Sequence, residues 1–128
     1  MAFATPPRAP VQLQPPFTPR EFSILYDFDM TVMGRHAGIL SQIVDYAEKT
    51  EAKRVIVTSR RGATLLSDGG LLTERPGIAQ ARAEEIAELL KRAGLAKAVI
   101  QIMPQSALEP SDGVDDWQSR RTTVRVEP

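Results

Sequence analysis

Two stretches of helical periodicity, each preceded by a short apolar segment, constrain the fold of this chain more than any other feature. In residues 34–50 apolar side chains recur at helical spacing, and the same pattern returns in residues 73–94. Strand-like apolar segments cover residues 22–28, 53–58, 98–103 and 120–126. The order strand, helix, strand, helix, strand, strand predicts an α/β fold, a two-layer βαβαββ sandwich with a mixed sheet and helices on one face.

Composition divides the chain into a leader and a domain. Residues 1–20 contain six of the ten prolines, set among Ala, Thr and Gln. Such a segment favours extended polyproline conformations and cannot form a packed core. We therefore expect residues 1–20 to be a flexible linker and residues 21–128 to form a single domain, which a length of 128 residues allows.

The connection into the second helix carries turn and capping residues. Residues 59–70 lack a clear period and are predicted to form an irregular loop. Thr73 is the predicted N-cap, Pro76 is tolerated in the first turn, and Gly94 fits the end of the helix.

Charge and cysteine content exclude several classes of protein. The 16 basic and 16 acidic residues cancel, which gives no reason to expect a nucleic-acid partner. Without cysteine there is no disulfide framework, and the only histidine, His36, has no second ligand at metal spacing. No apolar run approaches the ~20 residues of a membrane helix. We expect no metal, no cofactor and no membrane insertion by this chain.

Asp27 and Asp29, at the end of the first predicted strand, permit two interpretations. Carboxylates one residue apart can hold Mg²⁺ and attack phosphorus, and the D-x-D-x-T letters resemble the first motif of haloacid dehalogenase-type phosphatases. Alternatively, Phe28 is buried and the two aspartates turn the chain out of the sheet. The acidic pair Asp115 and Asp116 follows a predicted loop instead of the buried strand that such a phosphatase requires, which favours the second interpretation.

Four segments carry a different resemblance. The first strand and its exit read LYDFDMTVM, the second strand reads RVIVTS, residues 79–95 read AQARAEEIAELLKRAGL, and residues 119–126 read SRRTTVRV. The third of these resembles the S-x-x-R-A-x-x-V-x-x-x-L helix that is the hallmark of OmpA-like domains, and the last resembles their closing N-R-R-V-E-I strand. The chain is thus similar to OmpA-like domains, the periplasmic modules that tie outer-membrane proteins to peptidoglycan.

The resemblance implies a ligand and the residues that hold it. In that family the diaminopimelate of the peptide stem is bound by an Asp after the second strand and by the Arg of the hallmark helix, which Arg82 matches. Instead of the family's G-x-T-D, this chain has Ser59-Arg60-Arg61-Gly62, so the acidic group is missing. Asp68 or Glu74 is close enough in sequence to replace it.

Other uses of the same residues remain open. Arg60, Arg61 and Arg82 can form a pocket for a different anion, or the site can be lost. We predict Arg82, Arg61 and Asp68 as ligand-binding residues. The leading interpretation is a non-catalytic periplasmic module, associated with the outer membrane, that anchors a protein to diaminopimelate-containing peptidoglycan. A degenerate domain that binds a periplasmic protein partner through Arg60 and Arg61 is the first alternative, and a Mg²⁺-dependent phosphatase is the second.

Overall fold

A mixed sheet with helices on one face forms the framework of the domain. The computed structural model describes residues 16–31, 37–105, 108, 113 and 116–128. The strands are β1 (Arg20–Leu25), β2 (Arg54–Ser59), β3 (Ala63–Leu65), β4 (Leu71–Thr73), β5 (Ile100–Ile102) and β6 (Arg121–Glu127). The helices are α1 (Ala37–Lys49) and α2 (Ile78–Arg92), with short 3-10 helices at Lys97–Val99 and Asp116–Ser119.

The main sheet has the strand order β1-β6-β2-β5. Strand β6 lies between β1 and β2 and is antiparallel to both, whereas β2 and β5 are parallel. Helices α1 and α2 pack on one face of this sheet, α1 against β1 and β6 and α2 against β2 and β5. The predicted class, a two-layer α/β sandwich with a mixed sheet and helices on one face, is confirmed.

The core lies between the helices and the inner face of the sheet. Because side chains alternate along a strand, Val55 and Val57 of β2 and Val124 and Val126 of β6 all point inward and are fully buried. The apolar stripes of the two helices cover them. The helix residues of this core are Ile43, Val44, Ala47, Ala83, Ile86 and Leu90.

Strand β1 is shorter at its carboxyl end than the apolar run predicts. It ends at Leu25, and the backbone N–H of Met30 donates to the carbonyl of Asp27 at 3.1 Å, which closes a turn. Asp29 has a φ of 59°, a left-handed conformation that aspartate tolerates better than most residues. The aspartates therefore turn the chain, as the second interpretation of this segment holds, but its expectation of a buried Phe28 is wrong, because Phe28 is only half-buried.

The segment predicted to be an irregular loop contains a small hairpin. Strands β3 and β4 pair antiparallel, with Ala63 opposite Thr73. Thr73 therefore lies in a strand, and the predicted N-cap at this residue is wrong. The helix begins after Gly77, which is its N-cap at a φ of 86°. Strands of three residues are too short to show a period, which explains why the hairpin has no signature in the sequence.

Several sequence-based boundaries also move. The predicted third strand divides into a 3-10 turn at Lys97–Val99 and the three-residue strand β5. The predicted leader stays a prediction, since residues 1–15 lie outside the described part of the chain, as do His36 and Asp115.

Within the described ranges, no helix combines the length and apolar character needed to cross a membrane.

Truncation of the helix stripe should destabilise the domain. Ile86 is fully buried between α2 and the sheet, so Ile86→Ala should lower the free energy of unfolding by about 2–5 kcal/mol in a urea titration. Leu72→Ala on the exposed strand β4 is the matched control and should change it by less than about 0.5 kcal/mol. Equal decreases in the free energy of unfolding for both variants would contradict the placement of Ile86 in the core.

Candidate functional site

Arg82 lies in the second turn of α2 and is fully buried, with 0% of its surface exposed. Its side chain donates hydrogen bonds to two main-chain carbonyls, one in the turn after β1 and one just after β2. Nε donates to the carbonyl of Met30 at 3.0 Å, and Nη1 donates to the carbonyl of Arg60 at 3.1 Å. The guanidinium is therefore fixed between the turn after β1 and the end of β2.

A carboxylate of the chain itself binds the guanidinium of Arg82. Nη1 donates to Oε1 of Glu74 at 2.7 Å and Nη2 donates to Oε2 at 2.5 Å, so the pair is bidentate. Both side chains are fully buried. Oε1 also accepts from the N–H of Gly62 and Oε2 from the N–H of Asp29, each at 2.8 Å. A buried ion pair is stable when its remaining hydrogen-bonding groups are satisfied in this way.

The hairpin β3–β4 brings Glu74 to this position. Because Ala63 and Thr73 are register partners, the residues just outside them are adjacent, and the N–H of Glu74 donates to the carbonyl of Gly62 at 3.0 Å. A Cβ at residue 62 would lie 2.5 Å from Oγ of Ser119, so a larger residue there would displace that hydroxyl. Closure of the hairpin thus places the Glu74 side chain beside the start of α2.

Tyr26 forms one side of the same buried site. The guanidinium carbon of Arg82 lies 4.4 Å from the centre of the Tyr26 ring, a cation–π distance. The hydroxyls of Tyr26 and Thr122 share a hydrogen bond of 2.9 Å. Burial raises the pKa of the Tyr26 phenol, and the hydrogen bond with Thr122 and the charge of Arg82 offset only part of that rise.

The other two predicted ligand-binding residues do not bond to Arg82. Arg61 is half-buried, and its Nε donates to the main-chain carbonyl of Glu74 at 2.7 Å. Asp68 is exposed in the turn between β3 and β4, where its Oδ1 accepts from the N–H of Gly70 at 2.8 Å. The structure therefore brings Glu74, and not Asp68, to Arg82, and the ligand-binding roles of the three predicted residues stay predictions.

Asp29 is engaged with the backbone. Its Oδ1 accepts from the N–H of Arg75 at 2.8 Å, and its carbonyl accepts from the guanidinium of Arg75 at the same distance. In the acidic pair, Asp116 accepts from the N–H of Leu65 at 2.8 Å and so ties β3 to the 3-10 turn. No cluster of potential metal ligands occurs among the described residues. These contacts give Asp29 and Asp116 structural roles and do not support the phosphatase interpretation.

The strand order and the helices on one face are those of an OmpA-like fold. Known structures confirm it. The chain is similar to the OmpA-like domain of FopA1 from Francisella tularensis subsp. tularensis SCHU S4, with a TM-score of 0.63 and 14% identity over 86% of this chain and 73% of that one. It is also similar to a putative MotB-like protein from Desulfovibrio vulgaris, with a TM-score of 0.58 and 10% identity over 85% of this chain and 75% of that one.

Sequence comparisons identify no related protein. No family model matches the chain, and no curated protein matches it. At 10–14% identity the shared property is the fold. The sequence resemblance to OmpA-like domains is therefore confirmed at the level of the fold.

The Arg82–Glu74 pair should behave as a coupled unit. Arg82→Gln and Glu74→Gln should each lower the free energy of unfolding by about 3–5 kcal/mol, because each leaves a buried charge without its partner. The double variant should lose clearly less than the sum of the two, since no buried charge remains. Urea unfolding measures all three.

A surface pair provides the control for that cycle. Arg75→Gln alters an ion pair with Asp29 in which the arginine side chain is 51% exposed, and should cost less than about 1 kcal/mol. If the double variant of Arg82 and Glu74 loses as much free energy of unfolding as the two single variants together, the two side chains are not coupled.

Tyr26 should make the domain less stable in alkali. Because the native pKa lies above the ordinary value of 10.0, the native state keeps its proton where the unfolded chain has lost it, so stability falls as the pH rises above about 10. Tyr26→Phe should show a smaller decline in the free energy of unfolding between pH 9 and 11. Equal pH dependence of the free energy of unfolding for the wild type and for Tyr26→Phe would contradict the assignment.

Proposed function

We propose that this chain is a non-catalytic module of the cell envelope that associates with peptidoglycan in the periplasm and anchors an outer-membrane or periplasmic protein there. The observation that carries the proposal is the OmpA-like fold with an arginine in the second turn of α2. A planar guanidinium is suited to bidentate binding of a carboxylate, which diaminopimelate offers. The hallmark helix and closing strand of the sequence support the same function.

The ligand detail of the proposal concerns Arg82. A stem-peptide carboxylate can reach its guanidinium only after Glu74 withdraws, because Glu74 already accepts from both terminal nitrogens. Glu74 is carried by the segment between β4 and α2, which follows a hairpin with an exposed β4. We therefore place diaminopimelate binding in competition with Glu74, with Arg61 at the edge of the site and Asp68 on the hairpin turn.

The same ion pair favours a second candidate function. A guanidinium that is satisfied internally has no unmet need for a ligand, and the buried Arg82–Glu74 pair can be a replacement for ligand binding. On this proposal the domain keeps the OmpA-like fold and acts through contact with a periplasmic protein, without peptidoglycan.

Co-sedimentation with insoluble diaminopimelate-type peptidoglycan separates the two functions. The wild type should sediment with the polymer, and free meso-diaminopimelate should compete if the stem residue is the ligand. Glu74→Gln should sediment more strongly because the internal competitor has lost its charge, and the Arg82→Gln/Glu74→Gln double variant should sediment less. Arg92→Gln, an exposed arginine near the end of the same helix, should behave as the wild type does.

Each outcome distinguishes the proposals, provided that circular dichroism shows the variants to be folded. If the domain sediments with peptidoglycan and free diaminopimelate does not reduce this, the peptidoglycan function stands but Arg82 is rejected as the ligand site. Absence of sedimentation for both the wild type and Glu74→Gln would reject peptidoglycan binding and leave the protein-interaction function.

A further inference from the structure

Residue 29 and the two residues before the start of α2 are joined by a set of contacts that we call the clasp. The N–H of Asp29 donates to Oε2 of Glu74, Oδ1 of Asp29 accepts from the N–H of Arg75, and the carbonyl of Asp29 accepts from the Arg75 guanidinium, each at 2.8 Å. Nη1 of Arg75 also lies 3.5 Å from Oδ2 of Asp29. The clasp therefore holds the segment that carries Glu74 against the turn after β1.

The clasp is exposed, whereas the ion pair beside it is buried. The side chains of Arg75 and Asp29 are 51% and 37% exposed, and those of Arg82 and Glu74 are 0% exposed. An exposed ion pair contributes little to stability. A buried pair is costly to break unless another group replaces the lost partner. The clasp is thus the weaker of the two contacts that keep Glu74 in the site.

The connection around Glu74 has a fixed side and a side that can open. At the base of the hairpin, the N–H of Glu74 donates to the carbonyl of Gly62, and its carbonyl accepts from Nε of Arg61. These main-chain contacts can act as a hinge. Strand β4, which leads into the segment, is exposed throughout and has β3 as its only strand partner in the described part of the chain. The side that faces Asp29 is the one held by the clasp.

An incoming carboxylate can replace what the withdrawal of Glu74 breaks. Nη1 and Nη2 of Arg82 then exchange one bidentate carboxylate for another of the same chemistry. The carboxylate of Glu74 gains water in return. The contacts between Asp29 and Arg75 have no such replacement except water. The clasp, more than the buried ion pair, therefore sets the net cost of opening the site to a ligand.

From this arrangement we propose that the clasp is an autoinhibitory contact, which keeps Glu74 on Arg82 and so controls the affinity of the site for a stem-peptide carboxylate. The inference rests on the proposed peptidoglycan function and adds the control of its ligand site. Asp29 and Arg75 are positioning residues in this scheme, because they act on the ligand only through Glu74.

Substitutions that weaken the clasp should strengthen ligand binding. In Arg75→Gln the ion pair is lost, and in Asp29→Asn the charge is lost while the left-handed turn is tolerated. Since apparent affinity is proportional to the open fraction, both variants should bind free meso-diaminopimelate up to about five-fold more tightly in a calorimetric titration. Arg92→Gln, an exposed arginine outside the clasp, is the matched control and should bind as the wild type does. A purely structural role would instead weaken binding.

Amide hydrogen exchange without ligand measures the opening itself. The N–H of Gly62 donates to Oε1 of Glu74, so its exchange requires that Glu74 withdraws. In Arg75→Gln this exchange should become faster by a factor similar to the gain in affinity. The N–H of Val124, in the central strand β6, should exchange as in the wild type.

The outcomes separate failure of the clasp from failure of the proposed function. If meso-diaminopimelate binds and the clasp substitutions leave the affinity unchanged or lower it, the autoinhibitory role is overturned and the proposed function stands. Unchanged exchange of the Gly62 N–H in Arg75→Gln would overturn it as well. If no protein binds, Glu74→Gln included, the diaminopimelate site is rejected, and control of that site by the clasp is rejected with it.

Discussion

The buried ion pair between Arg82 and Glu74 is the contact on which the organisation of the site depends. It joins α2 to the segment after β4, and through its additional hydrogen bonds it holds Asp29, Gly62 and Met30. Burial of either charge alone is costly, so each side chain needs the other in place. The turn after β1, the hairpin and the start of α2 are consequently joined by one electrostatic contact, in addition to the burial of Ala63 and Ile78.

The sequence predicts the main sheet and both helices because their signals are long and regular. In α2, for example, Ala83, Ile86 and Leu90 recur at helical spacing over several turns, and all three are fully buried. The hairpin has no comparable signal, since β3 and β4 have three residues each and β4 is exposed throughout. The sequence predicts the start of α2 at Thr73, because a hydroxyl residue before an apolar stripe favours an N-cap, but in the structure Thr73 pairs in β4 instead.

For the site, the sequence indicates the arginine but not its partner. Arg82 stands out because of the hallmark helix, and both Asp68 and Glu74 lie in the connection that precedes it. Which carboxylate reaches the guanidinium depends on the register of the hairpin, in which Asp68 occupies the turn and Glu74 returns beside Gly62. The separation of Asp68 and Glu74 from Arg82 along the sequence therefore does not predict which carboxylate contacts Arg82. Tyr26 lacks a signal for the same reason, since only the assembled sheet places its ring under Arg82.

The position of β6 in the sheet determines when the domain can fold during its synthesis. It is the last strand in sequence, yet it lies between β1 and β2, so that Arg20 pairs with Val126. The sheet therefore cannot close until translation has passed nearly the whole domain, and contacts of such long sequence separation form slowly. Until then the apolar sides of β1 and β2 lack their central partner. A polypeptide with this strand order therefore remains without its main sheet until β6 has been synthesised.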